Sequence, residues 1–291
     1  MSADIAGSAS ALAWWIWPLA LFFVTFLLGI VAVIAGVGGG VLFVPIVGSF
    51  FPFHLDFVRG AGVLLALAGA LAAAPRLLRD GLANLRLAIP VSLAGSLFSI
   101  AGALASFAVP THALETSLGV LILLITGLML LSPSARAHAP GSDPLAAALG
   151  LHGSYTDPAS GERTSWHAGR VVPGLLAFSA IGFVGGLFGL GAGWANVPAF
   201  NLLMGVPLKL AAGTSGLVIS VVNAPAAWVY FLKGSMLPVI VAPSLLGVML
   251  GAQAGARLFR VMPARQIRFA VIALLLFAGV RVLLKGLGLW T

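Results

Sequence analysis

Gly36-Val-Gly-Gly-Gly-Val-Leu-Phe-Val-Pro45 and Gly189-Leu-Gly-Ala-Gly-Trp-Ala-Asn-Val-Pro198 are two copies of one glycine-rich pattern, and each interrupts a long apolar run. Glycine at every second position favours neither a stable helix nor a packed strand, because it leaves the backbone flexible and bare. Inside a membrane such backbone is tolerated only where protein or a water-filled cavity covers it. The pattern predicts two chain breaks that face each other at mid-membrane and form a transport site.

Composition places the chain in a membrane. Of its 291 residues, 60% are hydrophobic and 8% are charged, whereas soluble domains carry roughly 25% charged residues. Several windows of about 20 residues lack charge altogether, which is the length of a membrane-crossing helix. The net charge of +8 comes from Lys and Arg that lie mostly between the apolar runs, as in membrane proteins. We therefore expect a lipid bilayer as partner and no nucleic acid.

The chain divides into two similar halves, residues 1–131 and 171–291, joined by a polar linker at 132–170. Each half has one glycine-broken apolar run followed by three unbroken runs. An offset of 153 residues (189 minus 36) superposes three Pro pairs and six Gly pairs without a gap, including Gly60 on Gly213. Such an internal duplication is typical of transporters. The apolar runs lie at 17–51, 57–78, 82–107, 113–131, 171–203, 208–232, 236–259 and 267–284.

The distribution of positive charge favours one of two topologies. If each broken run crosses the membrane once, the halves are parallel and the Lys and Arg residues divide nine to six between the two sides. If each broken run enters and returns as a hairpin of two half-helices, the halves are inverted and the division is eleven to four. The positive-inside rule favours the inverted arrangement. The prediction is an all-α polytopic membrane protein in which each half is a re-entrant hairpin followed by three transmembrane helices.

This topology places the linker in the cytoplasm and both chain termini in the periplasm. The first residues, 1–13, contain no Lys or Arg, so we do not interpret them as a signal peptide. Trp14, Trp15 and Trp17 then cluster before the first run, as interfacial aromatic residues do.

The glycine breaks are the first candidates for binding. A half-helix that begins inside the membrane directs unpaired N–H groups and a partial positive charge at whatever precedes it, and this is an anion site built from backbone. The alternative is close helix packing on small residues, which we expect for the glycines at 182, 186, 247, 251 and 255. The expected anion contacts at the breaks are Gly38, Gly39, Gly40, Gly191, Ala192, Gly193 and Trp194.

Four uncharged polar residues deep in the second half are further candidates: Asn196, Thr214, Ser215 and Asn223. Each needs a partner, because burying an unpaired amide or hydroxyl costs on the order of 1–3 kcal/mol. Positions 215, 219 and 223 share one helix face, so Ser215 and Asn223 are expected to face one cavity. Bonding to neighbouring helices is the equally weighted alternative. The equivalent first-half positions, 43, 61, 62 and 70, have no polar side chain.

Arg59 is the one cation near the first break, close to Asp56. It is predicted either to attract an anion or to pair with Asp56. No arrangement of acids, or of Ser, His and Asp, predicts catalysis, so we expect no enzyme and no cofactor. The chain has no cysteine, and the histidines of the linker lack metal-ligand spacing.

These residues resemble those of the sulfite exporter TauE/SafE family, also called toluene-sulfonate uptake permeases. The resemblance lies in the glycine pattern of 36–45, its copy at 189–198 and the Ala-Gly-Thr-Ser of 212–215. It extends from about residue 21 to 284. It implies a permease of the prokaryotic inner membrane for sulfite, sulfonates or related anions. The chain departs from the pattern at Ala192, and the bulky Trp194 narrows the second half-site.

The sequence thus predicts a secondary transporter, an exporter, of a small sulfur-containing anion that acts by alternating access. An anion channel and a non-transporting membrane scaffold are the alternatives. A homodimer is compatible with the sequence.

Overall fold

The structure of the protein is a computed structural model that describes residues 3–36, 38–51, 53, 55–131, 143–156, 161–191, 193–261 and 264–289. Helices dominate the described residues. The first half contains α1 (Ala3–Ala35), α2 (Gly40–Phe50), α3 (Leu55–Arg79), α4 (Leu85–Ala105) and α5 (Thr111–Leu131). The linker contains α6 (Pro144–Ala148), β1 (His152–Thr156) and β2 (Arg163–His167). The second half contains α7 (Val171–Phe188), α8 (Gly193–Pro198) with a π-helical turn (Ala199–Leu203), α9 (Leu208–Leu232), α10 (Pro238–Val261) and α11 (Ala264–Gly286).

Six of these helices, α1, α3, α4, α7, α9 and α10, are long and apolar enough to cross a membrane. This confirms the prediction of an all-α polytopic membrane protein. The apolar runs predicted most helix bounds closely, and the run 208–232 coincides with α9.

The chain breaks after α1 and after α7, at the two glycine patterns, and each break is followed by a short helical limb and then by three longer helices. The limb before each break is longer than the half-helix expected from the sequence. Helix α1 has a 21-residue apolar stretch and α7 has 18 residues, and both lengths are compatible with a full crossing. The limbs that follow are short: α2 has 11 residues, and α8 with its π-helical turn has 6 and 5. At 1.5 Å per residue, each short limb is about 16 Å long.

The backbone at the two breaks has nearly the same conformation. Gly36 and Gly189 have φ of 67° and 68°, and Gly38 and Gly191 have φ of 78° and 77°. Residues with a side chain rarely adopt this left-handed region. The alternating glycines are therefore required by the backbone path at these positions, whatever their role in binding.

The helices pack through contacts that recur at the offset of 153 residues. A Cβ added to Gly60 in α3 would overlap the carbonyl oxygen of Ser235, and one added to Gly213 in α9 would overlap that of Leu82. The two contacts are equivalent, because adding 153 to the residue numbers 60 and 82 gives 213 and 235. Because the start of each helix lies beside the loop after the other, α3 and α9 pack antiparallel. Helix α1 packs parallel to α10, and its equivalent α7 packs parallel to α4.

The small residues that follow a four-residue spacing pack helices together, as expected from the sequence. Gly247, Gly251 and Gly255 of α10 lie against the carbonyl oxygens of Phe22, Phe26 and Ile30 of α1. Gly182 and Gly186 of α7 lie against those of Gly95 and Ser99 of α4. The packing interpretation of these five glycines is confirmed.

The linker contains more structure than its polar composition suggested. Its two strands form an antiparallel hairpin, and Trp166 at the end of that hairpin is buried against the same core as the helices. The carboxylate of Asp143 accepts a hydrogen bond from the N–H of Val171, 2.8 Å away at the start of α7. This bond lowers the pKa of Asp143 below its usual value against an opposing effect of burial, with smaller contributions from the N–H groups of Ala146 and Leu145. The carboxylate therefore stays ionised at neutral pH and fastens the linker to α7.

We predict that Gly213→Ala destabilises the protein by about 1–3 kcal/mol, the usual cost of overpacking a tight contact, because its Cβ would overlap the carbonyl oxygen of Leu82. Thermal unfolding in detergent measures the change. The matched control is Gly127→Ala in α5, where an added Cβ meets no atom of the described residues within 4 Å. This control is expected to unfold at the same temperature as the wild type or slightly higher. Equal unfolding temperatures for both variants would contradict the packing described here.

Candidate functional site

The structure brings the two glycine breaks together. A Cβ added to Gly38 would lie 3.6 Å from Cβ of Ala66, and one added to Gly191 would lie 3.0 Å from the same atom. A Cβ added to Gly40, the first residue of α2, would lie 2.5 Å from the carbonyl oxygen of Leu190. The breaks therefore meet beside the middle of α3, where each is covered by the other half of the chain.

Helix α2 begins at this meeting point without a side-chain cap. Its N-cap residue, Gly39, is in the right-handed helical region and has no side chain to accept from the first turn. Gly39 and Gly40 are both buried. Uncapped N–H groups at a helix start carry a partial positive charge, which is the feature that the sequence predicted for an anion site.

One face of α9 lies along both breaks, as the spacing of residues 215, 219 and 223 predicted. The hydroxyl of Ser215 donates to the carbonyl oxygen of Gly36 at 2.5 Å. One turn later, Cδ1 of Ile219 lies 3.2 Å from the position of an added Cβ on Gly38. After a further turn, Nδ2 of Asn223 lies 2.5 Å from that of an added Cβ on Gly191. Helix α9 therefore positions the first break through Ser215 and Ile219, and presents an amide to the second.

Thr214 and Ser215 both have structural partners. The hydroxyl oxygen of Thr214 accepts from the N–H of Asn84 at 3.1 Å, which fixes the loop between α3 and α4. Both hydroxyls are fully buried. The Ser215 proton is donated to Gly36, and both hydroxyls hold backbone segments in place.

Asn196 differs from the other polar candidates. It is fully buried in α8, and neither Nδ2 nor Oδ1 has a hydrogen-bond partner among the described residues. Leaving a buried amide unsatisfied costs about 1–3 kcal/mol. The unsatisfied amide of Asn196 is therefore suited to hydrogen-bond a polar ligand.

Arg59 lies at the second break and not at the first, which it adjoins in sequence. Its Cα and Cβ would be 2.9 and 2.5 Å from a Cβ added to Gly189. Its guanidinium pairs with Asp56, with Nη1 and Oδ1 at 3.6 Å, so the pairing alternative for Arg59 is present in the structure. The arginine is 4% exposed, so the side chain lies almost entirely inside the protein.

Sequence analysis did not identify Tyr230. Its hydroxyl donates to the carbonyl oxygen of Gly186 at 3.0 Å, just before the second break, and lies 3.2 Å from the hydroxyl of Ser106. The equivalent residue in the first half, 153 positions earlier, is Leu77. Comparing each first-half residue with the residue 153 positions later, and noting where only the second is polar, would have found Tyr230.

The two breaks therefore have different surroundings although their backbones match. A small cavity beside the first break is lined by glycine, alanine and aliphatic residues, among them Ala70, Leu77 and Ala212. At the offset of 153, these three correspond to Asn223, Tyr230 and Arg59. The first break has an apolar environment and the second a polar one.

Some predicted site residues fall outside this description. Gly193 begins α8 and is buried. Ala192 and the side chain of Trp194 lie outside the described part of the structure.

We predict that Asn196→Leu leaves the unfolding temperature of the ligand-free protein unchanged or raises it, because it removes a buried amide without breaking a hydrogen bond. Asn201→Leu is the matched control, since Nδ2 of this buried asparagine donates to the carbonyl oxygen of Val206 at 2.9 Å. The control is expected to lose about 1–3 kcal/mol, because that oxygen is left unpaired. A loss of similar size in Asn196→Leu would show that Asn196 is a structural residue.

Comparison with known proteins agrees with this architecture. The family model described as "Sulfite exporter TauE/SafE" matches residues 21–282. The chain is also similar to "Probable membrane transporter protein YunE" of Bacillus subtilis (strain 168), with 23% identity over 270 residues that cover 89% of this chain and 94% of that protein. No solved structure matches the chain. With the family model matching nearly its whole length, this multi-pass membrane protein belongs to the sulfite exporter TauE/SafE family of membrane transporters.

Proposed function

We propose that the protein is a secondary transporter that exports a small sulfur-containing anion, such as sulfite or an organosulfonate, across the bacterial inner membrane by alternating access. The observation that carries the proposal is the meeting of the two glycine breaks at the uncapped start of α2. The family description supports the chemical class of the substrate. The family and the relative support transport across a membrane.

The anion is held between the two breaks. The N–H groups of Gly38, Gly39 and Gly40 bind it from the first half. The backbone from Gly191 through Ala192, Gly193 and Trp194 binds it from the second half. Two opposed helix starts hold a negative charge without a formal positive partner. This leaves the site without the strong ion pair that would slow release.

Side chains of the second half complete the site. The amides of Asn196 and Asn223 donate hydrogen bonds, and Arg59, whose guanidinium pairs with Asp56, lies beside the second break without binding the anion directly. Thr214 and Ser215 act through the backbone that they fix. The polar contributions thus come from one side of the site, in agreement with the different surroundings of the two breaks.

An inverted repeat is the arrangement that alternating access uses in many transporters. Helices α3 and α9, which correspond at the offset of 153, pack antiparallel through Gly60 and Gly213. The same holds for α5 and α11, where Gly119 lies against Leu283 and Gly286 against Thr116. Antiparallel packing of corresponding helices supports a two-fold axis in the membrane plane, with each broken segment forming a re-entrant hairpin.

The membrane potential supplies a driving force for export. In this arrangement the linker lies in the cytoplasm and both termini lie in the periplasm. The cell interior is negative, so the membrane potential drives an anion outward by about 2.3 kcal/mol per charge for every 100 mV. Export therefore does not require a coupled ion. Rocking of the helices around the fixed breaks exposes the site to one side at a time.

The first test is thermal unfolding of the purified protein with sulfite, sulfate, thiosulfate, sulfoacetate, taurine and carboxylates of matched size. A ligand at 100 times its Kd stabilises the folded state by about 2.7 kcal/mol. We expect a rise in unfolding temperature for one or two sulfur anions only. The rise is expected to disappear in Asn196→Ala and to persist in Gly127→Ala.

The absence of a shift with every anion would refute the binding site and favour a membrane scaffold, with the breaks as packing devices. Flux in proteoliposomes separates a transporter from a channel. A transporter saturates at high substrate concentration, whereas a channel needs a continuous polar file, and the apolar surroundings of the first break argue against such a file.

A further inference from the structure

The cavity beside the first break offers about 20 Å³ of free space between α1, α3, α9 and α10. None of the described residues that line it has a polar side chain. Its volume is enough for one water molecule or one group of similar size, but a bound water needs two to four polar partners. An apolar group of about one carbon atom is therefore a better occupant than water.

This apolar cavity adjoins the polar surroundings of the second break. Ile219 lines the cavity and contacts Gly38 of the first break, and Asn223, one turn further along α9, contacts Gly191 of the second. The two side chains are about 6 Å apart along the helix axis. Cβ of Ala66 lies 3.6 and 3.0 Å from the positions of Cβ atoms added to Gly38 and Gly191, and it marks the boundary between the two regions. An anionic headgroup with one attached carbon spans such a separation.

We propose that this cavity is an apolar subsite for a single methyl-sized group attached to the anionic headgroup, and that Gly216 and Ile219 set its size. The proposal rests on the proposed anion site, since the cavity opens beside it. Its substrate is an anion with a short apolar group, such as a one-carbon sulfonate, in preference to an inorganic anion. A longer chain has to extend out of the cavity or displace its wall.

Gly216 offers a direct way to fill the subsite. It lines the cavity, and the nearest atom to an added Cβ is Cδ1 of Leu77 at 3.9 Å. Alanine at this helical position is thus accommodated without strain and is the better helix former. Gly216→Ala occupies the space of the proposed methyl group and changes no polar atom.

Ile219 offers the opposite change. Its Cδ1 lies 3.2 Å from the position of a Cβ added to Gly38, and Ile219→Val removes one methyl group from the wall of the cavity. The subsite becomes larger, while the face of α9 that carries Ser215 and Asn223 is preserved. The two variants therefore move the size limit in opposite directions.

The experiment measures binding of sulfite, methanesulfonate, ethanesulfonate and 1-propanesulfonate to the detergent-purified protein by isothermal titration calorimetry. It is run at a mildly acidic pH, where sulfite is present as bisulfite and all four anions carry one charge. The wild type is expected to prefer methanesulfonate to sulfite by about fourfold, the value of one buried methylene-sized group, and to bind propanesulfonate more weakly. Gly216→Ala is expected to lose this preference and to keep sulfite affinity within twofold. Ile219→Val is expected to shift the optimum to ethanesulfonate.

Gly127→Ala, which adds a methyl group to α5 away from any neighbour, is the control and is expected to match the wild type. Equal binding of sulfite and methanesulfonate, with neither variant altering the order of preference, would overturn the subsite and leave the anion site standing. Binding of no anion at all would overturn the proposed function, and the subsite with it. Circular dichroism of each variant confirms that it is folded.

Discussion

Close contact between glycine and backbone carbonyl oxygens is the interaction on which this structure depends. Helices in a lipid bilayer gain little from burying apolar surface, so their association relies on tight packing, and small residues permit it. Gly60, Gly213 and Gly102 each lie where a side chain would overlap a carbonyl oxygen of another segment. These contacts bring α3 against α9 and α4 against α7, and they set the distance at which the two breaks meet.

Much of the fold could be predicted from the sequence. A helix that crosses a membrane is a long run of apolar residues, and such a run is recognisable without any periodic pattern. The helix order, the position of both breaks and the recurrence at 153 residues were all predicted. The hairpin of the linker was not, because strands of five residues with exposed polar side chains give no apolar pattern. The re-entrant hairpins stay a prediction, since an apolar run does not show whether a helix ends in the membrane or crosses it.

The site was predicted less completely than the fold. The shared face of Ser215 and Asn223 follows from helix geometry alone and was found. The position of Arg59 at the second break was not, because it depends on which half covers which break, a contact between residues 130 positions apart in sequence. Tyr230 was missed for the same reason, as its hydrogen bond to Gly186 joins two helices that no local pattern connects.

Each break is covered by a helix of the other half, and this has a consequence for biosynthesis. Gly36 packs on Ala212 and accepts from Ser215, whereas Gly189 packs on Arg59. The first break is thus complete only after 179 further residues (215 minus 36) have been made. At about 5–20 residues per second this takes roughly 10–35 s. During that time the backbone at the first break lies in the bilayer without the α9 contacts that cover it in the folded protein. When the second half is made, the residues of the first half that cover its break are already present.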